Sequence, residues 1–112
     1  MGLLEINDGQ LRRLVHAHHK VFTEFTAAGC VLCQALQLVL ERLAAEPAYQ
    51  NIVFARLDAG ENPVARQLMN QQQAPFFISY CQGRLLHCDT LTSEAQIRQA
   101  LETLRLFVPV SA

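Results

Sequence analysis

Residues 20–33 read KVFTEFTAAGCVLC: an apolar run leads to two cysteines that bracket two apolar residues. The run from Lys20 to Phe25 predicts a buried strand, and the residues after the second cysteine have the apolar spacing of a helix. We therefore expect a strand, a short turn and a helix that begins at Cys30. Unpaired backbone N–H groups and the positive end of the macrodipole stabilise a thiolate at a helix N-terminus. Since the thiolate is the reactive form, Cys30 and Cys33 favour thiol–disulfide exchange.

A zinc site is the alternative use of a CxxC pair, and two further cysteines would complete the four ligands of a structural zinc. The remaining two cysteines flank a predicted two-residue turn at Gln82-Gly83, which would pair Cys81 with Arg84 and Cys88 with Phe77. In that register Cys81 and Cys88 are too far apart along the hairpin to meet. We interpret Cys81 as a turn residue and Cys88 as a small core residue. Metal handling by the CxxC pair alone stays a weaker alternative.

The chain has 112 residues, a net charge of −1 and a hydrophobic fraction of 51%, which together indicate one domain with a sizeable core. We expect a single domain over residues 1–112, with its core at about 3–106 and a short C-terminal tail. No basic stripe points to a nucleic-acid partner. No stretch is long and apolar enough to span a bilayer and no secretory signal is visible, so we expect no membrane association and a cytoplasmic location. In that reducing compartment a CxxC pair is redox-active or metal-binding rather than structural.

Apolar runs predict five strands, at residues 3–6, 21–25, 52–57, 76–80 and 85–88. Four helices are predicted among them: one capped by Asp8, one over about 33–45, a short one from near Asn62-Pro63, and one capped by Ser93 with Ala95 toward the core. The order is βαβαβαββα. Because the strands are continuous apolar runs, helices should cover both faces of the sheet. The sequence thus predicts an α/β fold with three layers, α/β/α, around a central mixed five-stranded sheet.

This order of elements, with a CxxC after the second strand and a proline before the fourth, resembles the thioredoxin family. The likeness covers about residues 3–106 and is carried by four segments: Glu24-Phe25, Cys30 to Cys33, Arg56 to Pro63, and Ala74-Pro75. The resemblance implies the thioredoxin fold. It also implies that Pro75 is a cis-proline that lies against the CxxC pair.

The resemblance further implies roles for individual residues. Cys30 would attack a substrate disulfide, and Cys33 would resolve the mixed disulfide and leave an oxidised pair. Glu24, six residues before Cys30, stands where the family has a buried carboxyl group that accepts the proton of the resolving thiol. Arg56 stands where a lysine accompanies that acid. Because arginine keeps its proton, Arg56 would hold Glu24 ionised more firmly than a lysine does.

Substrate binding is implied for Ala74, Pro75 and Gly29. Pro75 has no N–H to compete for hydrogen bonds near the sulfurs, and the carbonyl and amide of Ala74 can pair with an extended substrate backbone. Gly29 stands where the family usually has tryptophan, and Thr26 replaces another aromatic residue. These changes remove the flat apolar platform that thioredoxins present to proteins. The chain is therefore expected to be a specialised member rather than a housekeeping thioredoxin.

The function indicated is that of a thiol–disulfide oxidoreductase, which uses a Cys30/Cys33 dithiol–disulfide couple in redox homeostasis or in the reduction of a dedicated partner protein. We expect no cofactor and no metal. Electrons would come from a partner reductase or from small thiols, and the protein would be a monomer. The alternative is a non-enzymatic thioredoxin-fold module that holds a partner protein on the surface around Pro75.

Overall fold

The computed structural model describes residues 2–109, so Met1 and residues 110–112 of the predicted domain and tail lie outside the described part. The strands are β1 (Leu4–Glu5), β2 (Lys20–Thr26), β3 (Val53–Asp58), β4 (Phe76–Cys81) and β5 (Arg84–Thr90). The helices are α1 (Asp8–Ala17), α2 (Val31–Ala44), α3 (Pro63–Met69) and α4 (Glu94–Leu106), with a 3-10 turn at Pro47–Tyr49. This is the predicted order, and each element lies within a few residues of its predicted place.

The five strands form one mixed sheet in the order β1-β3-β2-β4-β5. The first three in that order are parallel, and β4 and β5 run antiparallel to their neighbours. Apolar residues of α2 and α4 bury one face of the sheet, and those of α1 and α3 bury the other. The predicted α/β/α architecture with a mixed five-stranded sheet is confirmed.

The central strand β2 is buried along its whole length, as its apolar sequence predicts. On the face toward α2 and α4, Phe22 stacks on Phe77 with ring centroids 5.3 Å apart and meets the edge of Phe54. Full burial of a phenylalanine side chain contributes about 1.5–3 kcal/mol to the free energy of unfolding. The strand that leads into the cysteine motif is therefore anchored in the middle of the core.

The cap predicted for α1 is wrong by one residue. Asn7 is the N-cap, and its side chain and that of Gln10 exchange hydrogen bonds with each other's backbone N–H. Asp8 instead turns its carboxylate to the start of α3, where it accepts the N–H groups of Val64 and Ala65 at 2.9 and 3.0 Å. Asp8 thus caps a helix that follows it by more than fifty residues in the chain.

The predicted two-residue turn at Gln82-Gly83 is confirmed, and it pairs Cys81 with Arg84. Both turn residues have positive φ angles, 52° and 80°, as a tight hairpin of this kind requires.

A bulge farther along this hairpin makes the rest of the predicted register wrong. Ser79 pairs with His87 and Tyr80 with Leu85, so Leu86 is an extra residue on β5. Cys88 therefore lies opposite Ile78 rather than Phe77.

The burial predicted for the two hairpin cysteines is reversed. Cys81 is buried in the core under α2 and α4, whereas Cys88 is exposed on the edge strand β5. Both carry free thiols, as expected from their separation along the hairpin.

The last helix begins as predicted, because the side chain of Ser93 accepts the N–H of Gln96. Ala95 is exposed, contrary to the prediction. The core face of α4 is formed by fully buried Ile97, Leu101 and Leu104. The chain just after the helix is held by Lys20, whose ammonium group donates to the carbonyl of Phe107 at 2.9 Å. Within residues 2–109, no helix is long and apolar enough to cross a membrane.

Candidate active site

Cys30 and Cys33 lie at the start of α2 and form a disulfide, with their Cα atoms 5.3 Å apart. Cys30 is the N-cap residue, and α2 begins at Val31, two residues before the start predicted at about residue 33. Cys33 is 2% exposed, whereas Cys30 is partly exposed. Of the two cysteines, Cys30 is therefore the one that solvent reaches.

The surroundings of the Cys30 sulfur favour negative charge. The backbone N–H of Cys33 donates to it at 3.0 Å, which is the contact that a capping oxygen makes in other helices. The fourteen-residue helix α2 directs the positive end of its dipole at the same place, and its first turn contains no acidic residue. A helix N-terminus of this kind is where proteins commonly favour the thiolate form of a cysteine.

Glu24 is the buried carboxyl group of the site and is 1% exposed on β2. Neither carboxylate oxygen has a hydrogen-bond partner among residues 2–109, although Arg56 Nε lies 3.3 Å from Oε1 as an ion-pair contact. Burial raises the pKa of Glu24 to about 7, while Arg56 opposes that rise. Arg56 thus acts in the predicted direction, but the burial of Glu24 outweighs it.

Arg56 also contacts a second acid that the sequence did not bring forward. Its Nη1 lies 3.4 Å from Glu5 Oε1 on the neighbouring strand β1. The Arg56 side chain is 11% exposed and that of Glu5 is 70% exposed. The charges of the site therefore extend from the buried carboxyl group to solvent at the edge of the sheet.

The Ala74–Pro75 peptide bond is cis, and these residues immediately precede β4. Phe76 at the start of β4 pairs with Phe25 near the end of β2. Pro75 therefore lies at the same end of these two strands as the turn to Cys30. The carbonyl of Pro75 accepts the N–H of Leu91. Neither the N–H nor the C=O of Ala74 has a hydrogen-bond partner among residues 2–109.

The loop between β2 and the cysteines carries small side chains. Ala27 and Ala28 are exposed, and Gly29 has a φ angle of 73°, a conformation that strains any residue with a Cβ atom. Thr26 is 9% exposed, and its hydroxyl group donates to the carbonyl of Leu57 at 3.4 Å, so it points into the fold. The loop before Cys30 therefore presents no large apolar side chain, although Val31 on the other side of Cys30 is exposed.

A cleft of about 250 Å³ opens next to this loop. Arg66 forms one wall, because its guanidinium group is fixed by donating to the carbonyl groups of Ala59 and Gly60. The lining residues are Ala27, Ala59, Gly60, Arg66, Met69, Gln71 and Gln72. Three of these lining residues are alanine or glycine. The sequence alone did not predict this cleft.

Residues 3–103 match the family model for Thioredoxin. The chain belongs to the thioredoxin family. No curated protein sequence matches it.

Solved thioredoxin structures share the fold at low sequence identity. Thioredoxin f from spinach chloroplast has a TM-score of 0.84 at 21% identity, over 93% of this chain and 94% of that chain. Thioredoxin from Malassezia sympodialis has a TM-score of 0.83 at 18% identity, over 94% of this chain and 95% of that chain. Oxidised thioredoxin from Plasmodium falciparum has a TM-score of 0.80 at 18% identity, over 90% of this chain and 96% of that chain.

Family membership together with the CxxC disulfide supports a thiol–disulfide oxidoreductase role for this thioredoxin-family chain. Within residues 2–109, no three His, Cys, Asp or Glu side chains lie close enough together to hold a metal ion.

Proposed function

We propose that the chain acts as a single domain, residues 1–112, that exchanges thiols and disulfides with a dedicated protein partner through the Cys30/Cys33 couple. The observation that carries this proposal is the difference between the two sulfurs. Cys30 is partly exposed and accepts a hydrogen bond from the Cys33 N–H, whereas Cys33 is buried. An exposed sulfur at a helix N-terminus beside a shielded one suits an exchange in two steps.

In the first step, the Cys30 thiolate attacks one sulfur of the partner's disulfide. A bond forms between Cys30 and that sulfur, the partner's own S–S bond breaks, and its second sulfur leaves as a thiolate. The Cys33 N–H and the dipole of α2 stabilise the attacking thiolate.

In the second step, Cys33 attacks the Cys30 sulfur of the mixed disulfide. The Cys30–Cys33 bond forms, the partner's sulfur leaves as a thiolate, and the partner has gained the two electrons that the dithiol has lost. Glu24 accepts the proton of the Cys33 thiol. A carboxyl group with a pKa of about 7 suits this role, because it both takes up and releases protons near neutral pH. Arg56 supports Glu24 by limiting the rise of that pKa.

The partner's backbone is proposed to lie along Ala74 and Gly29. The free N–H and C=O of Ala74 support pairing with an extended segment, and Pro75 adds no N–H that would compete near the sulfurs. A Cβ atom at Gly29 would point into open space, since no atom of the protein lies within 4 Å of it. Its absence leaves that space beside Cys30 to the partner.

A dedicated partner is favoured over general reduction of proteins by the surface around Cys30. The loop at Ala27 and Ala28 offers no broad apolar platform, and a shallow cleft bounded by Arg66 lies beside it. A surface with a cleft and a fixed arginine favours partners that fit both, whereas a flat apolar platform tolerates many.

No bound cofactor is required, since electrons can come from a partner reductase or from small thiols. We propose that the chain acts as a monomer in the cytoplasm. The free thiols of Cys81 and Cys88 are typical of a reducing compartment.

The test is to trap the partner with Cys33→Ser in a Cys88→Ser background, which removes the other exposed thiol. Without a resolving sulfur, the mixed disulfide at Cys30 should persist, so the variant should hold a discrete protein that dithiothreitol releases. The same protein with Cys30→Ser added is the matched control and should hold none. Equal recovery by both variants, unaffected by dithiothreitol, would exclude the exchange mechanism.

A non-enzymatic binding module is the second candidate, and the lack of an apolar platform at Gly29 and Thr26 is the observation that favours it. Such a module would bind its partner around Pro75 whether or not the cysteines are present. Binding that survives replacement of both Cys30 and Cys33 by serine would support this candidate over the oxidoreductase.

A further inference from the structure

Three charged side chains lie side by side across three neighbouring strands of the sheet. The strand register places Arg56 on β3 between Glu5 on β1 and Glu24 on β2. One guanidinium group contacts both acids, with Nε 3.3 Å from Glu24 Oε1 and Nη1 3.4 Å from Glu5 Oε1. The single positive charge of Arg56 is therefore shared between two carboxyl groups.

The two acids differ sharply in their exposure to solvent. The side chain of Glu24 is 1% exposed, and that of Glu5 is 70% exposed. Water surrounds the Glu5 side chain, whereas the charged form of the buried Glu24 depends on Arg56. Because Glu5 lies beside Arg56, its negative charge also lies near Glu24. That charge disfavours a negative charge on the Glu24 carboxyl group.

Strand pairing holds Glu5 in this position. β1 has only two residues, and the N–H of Ile6, which follows it, donates to the carbonyl of Arg56 at 2.9 Å. The backbone on both sides of Glu5 is thereby fixed beside Arg56. The contact between Glu5 and Arg56 is thus built into the edge of the sheet.

We propose that Glu5 is a positioning residue that acts through Arg56 to weaken the hold of the guanidinium group on Glu24, so that the Glu24 carboxyl group remains able to accept the proton of the resolving thiol. This inference rests on the proposed role of Glu24 in the second step. If Arg56 contacted Glu24 alone, it would lower the pKa of Glu24 further. The carboxyl group would then be a weaker proton acceptor near neutral pH.

The charges around Glu24 agree with this assignment. Burial raises its pKa most, Arg56 lowers it, and Glu5 raises it again. The neighbour on β4 is Phe77, which carries no charge. At the start of α2 the N-cap Cys30 and Cys33 are joined in a disulfide, and Glu41 of that helix is exposed. The remaining charged side chains of α2 and α4 pair with acids or bases near the surface: Arg42, Glu94, Arg98, Glu102 and Arg105.

The decisive measurement is the pKa of the Glu24 carboxyl group, followed by carbon NMR in the full chain. Glu5→Gln should lower this pKa by about half a pH unit, the size expected for the loss of one exposed charge beyond an intervening side chain. Arg56→Gln should raise it. Glu41→Gln removes an exposed acid elsewhere and should leave it unchanged. An unchanged Glu24 pKa in Glu5→Gln would overturn the proposal.

The salt dependence of the Glu24 pKa is a second test, and it needs only the unmodified protein and a variant of the exposed Glu5. Added salt screens the exposed Glu5 more than the buried contact between Glu24 and Arg56. The Glu24 pKa of the unmodified protein should therefore fall as salt rises, and that of Glu5→Gln should respond much less. Equal responses of the two proteins would also overturn the proposal.

The rate of the second step against pH separates this proposal from the one it rests on. If Glu24 accepts the proton, the profile of that rate in Glu5→Gln should move to lower pH together with the measured pKa. If the pKa moves and the profile does not, Glu5 tunes Glu24 as proposed, but Glu24 is not the proton acceptor. A purely structural role for Glu5 would move neither the pKa nor the profile.

Discussion

The backbone N–H of Cys33 donates a hydrogen bond to the sulfur of Cys30 at 3.0 Å, so the sulfur takes the place that a capping oxygen has in other helices. The same spacing that lets the two cysteines form a disulfide lets one of them cap α2. Opening the disulfide therefore leaves a partly exposed sulfur facing the positive end of a fourteen-residue helix.

Cys30 of the reduced protein is expected to react with iodoacetamide about tenfold faster than Cys88 at pH 7. Cys88 is the internal control, because it is an exposed free thiol on a strand and faces no helix N-terminus. Mass spectrometry of the alkylated peptides measures both rates in one sample. Equal rates would show that the N-terminus of α2 does not activate Cys30.

Replacing Glu24 with glutamine should stabilise the oxidised protein at pH 8 by about 2–3 kcal/mol relative to its effect at pH 4. The pKa of Glu24 is raised from 4.5 to about 7, so the folded state binds the proton more tightly than the unfolded state does. Its contribution to stability is complete below about pH 4.5 and is lost as the pH rises through about 7. Glutamine does not titrate and avoids that loss.

Urea unfolding of the two proteins across this range measures the difference in the free energy of unfolding. The oxidised form is used because its disulfide cysteines do not titrate. Glu41→Gln serves as the control, since Glu41 is exposed on α2. A difference between Glu24→Gln and the unmodified protein that is flat from pH 4 to pH 8 would mean that burial does not raise the pKa of Glu24.

The active-site motif could be predicted because its residues are close in the sequence or carry their own local signal. The strand, Glu24 within it and the CxxC pair lie within the fourteen residues 20–33, and Pro75 directly precedes a predicted strand. Periodicity and spacing predict the strand, the cysteine pair and the helix after it. The roles expected for Glu24 and Pro75 followed instead from the resemblance to the thioredoxin family.

Features that depend on which strands are neighbours could not be predicted. The contact between Glu5 and Arg56 requires that β1 lie beside β3. The apolar runs that predict the strands do not indicate the order of the strands in the sheet. A single bulge at Leu86 shifted the pairing of β5, and with it the expected partner of Cys88. An extra residue in one strand changes the partner of each residue beyond it.

Ala27→Trp should weaken capture of the trapped partner at least about tenfold, which corresponds to roughly 1.4 kcal/mol of binding free energy. Ala27 lines the cleft beside Cys30, so a tryptophan there would occupy the space that the partner is proposed to fill. Ala28→Trp is the matched control: the residue is adjacent and exposed, and it does not line the cleft. The measurement is the yield of mixed disulfide in the Cys33→Ser background. Equal yields from both tryptophan variants would show that the cleft does not select the partner.

Asp8→Ala should lower the free energy of unfolding by about 1–2 kcal/mol, because it leaves the first N–H groups of α3 without their acceptor. The carboxylate of Asp8 accepts the N–H groups of both Val64 and Ala65, and it connects α1 to a seven-residue helix that is too short to be stable alone. Hydrogen exchange at these two amides should therefore quicken in Asp8→Ala. Asn7→Ala removes the cap of α1 only and should leave exchange in α3 unchanged. If the two variants quicken exchange in α3 equally, the effect comes from general loss of α1 rather than from the Asp8 carboxylate.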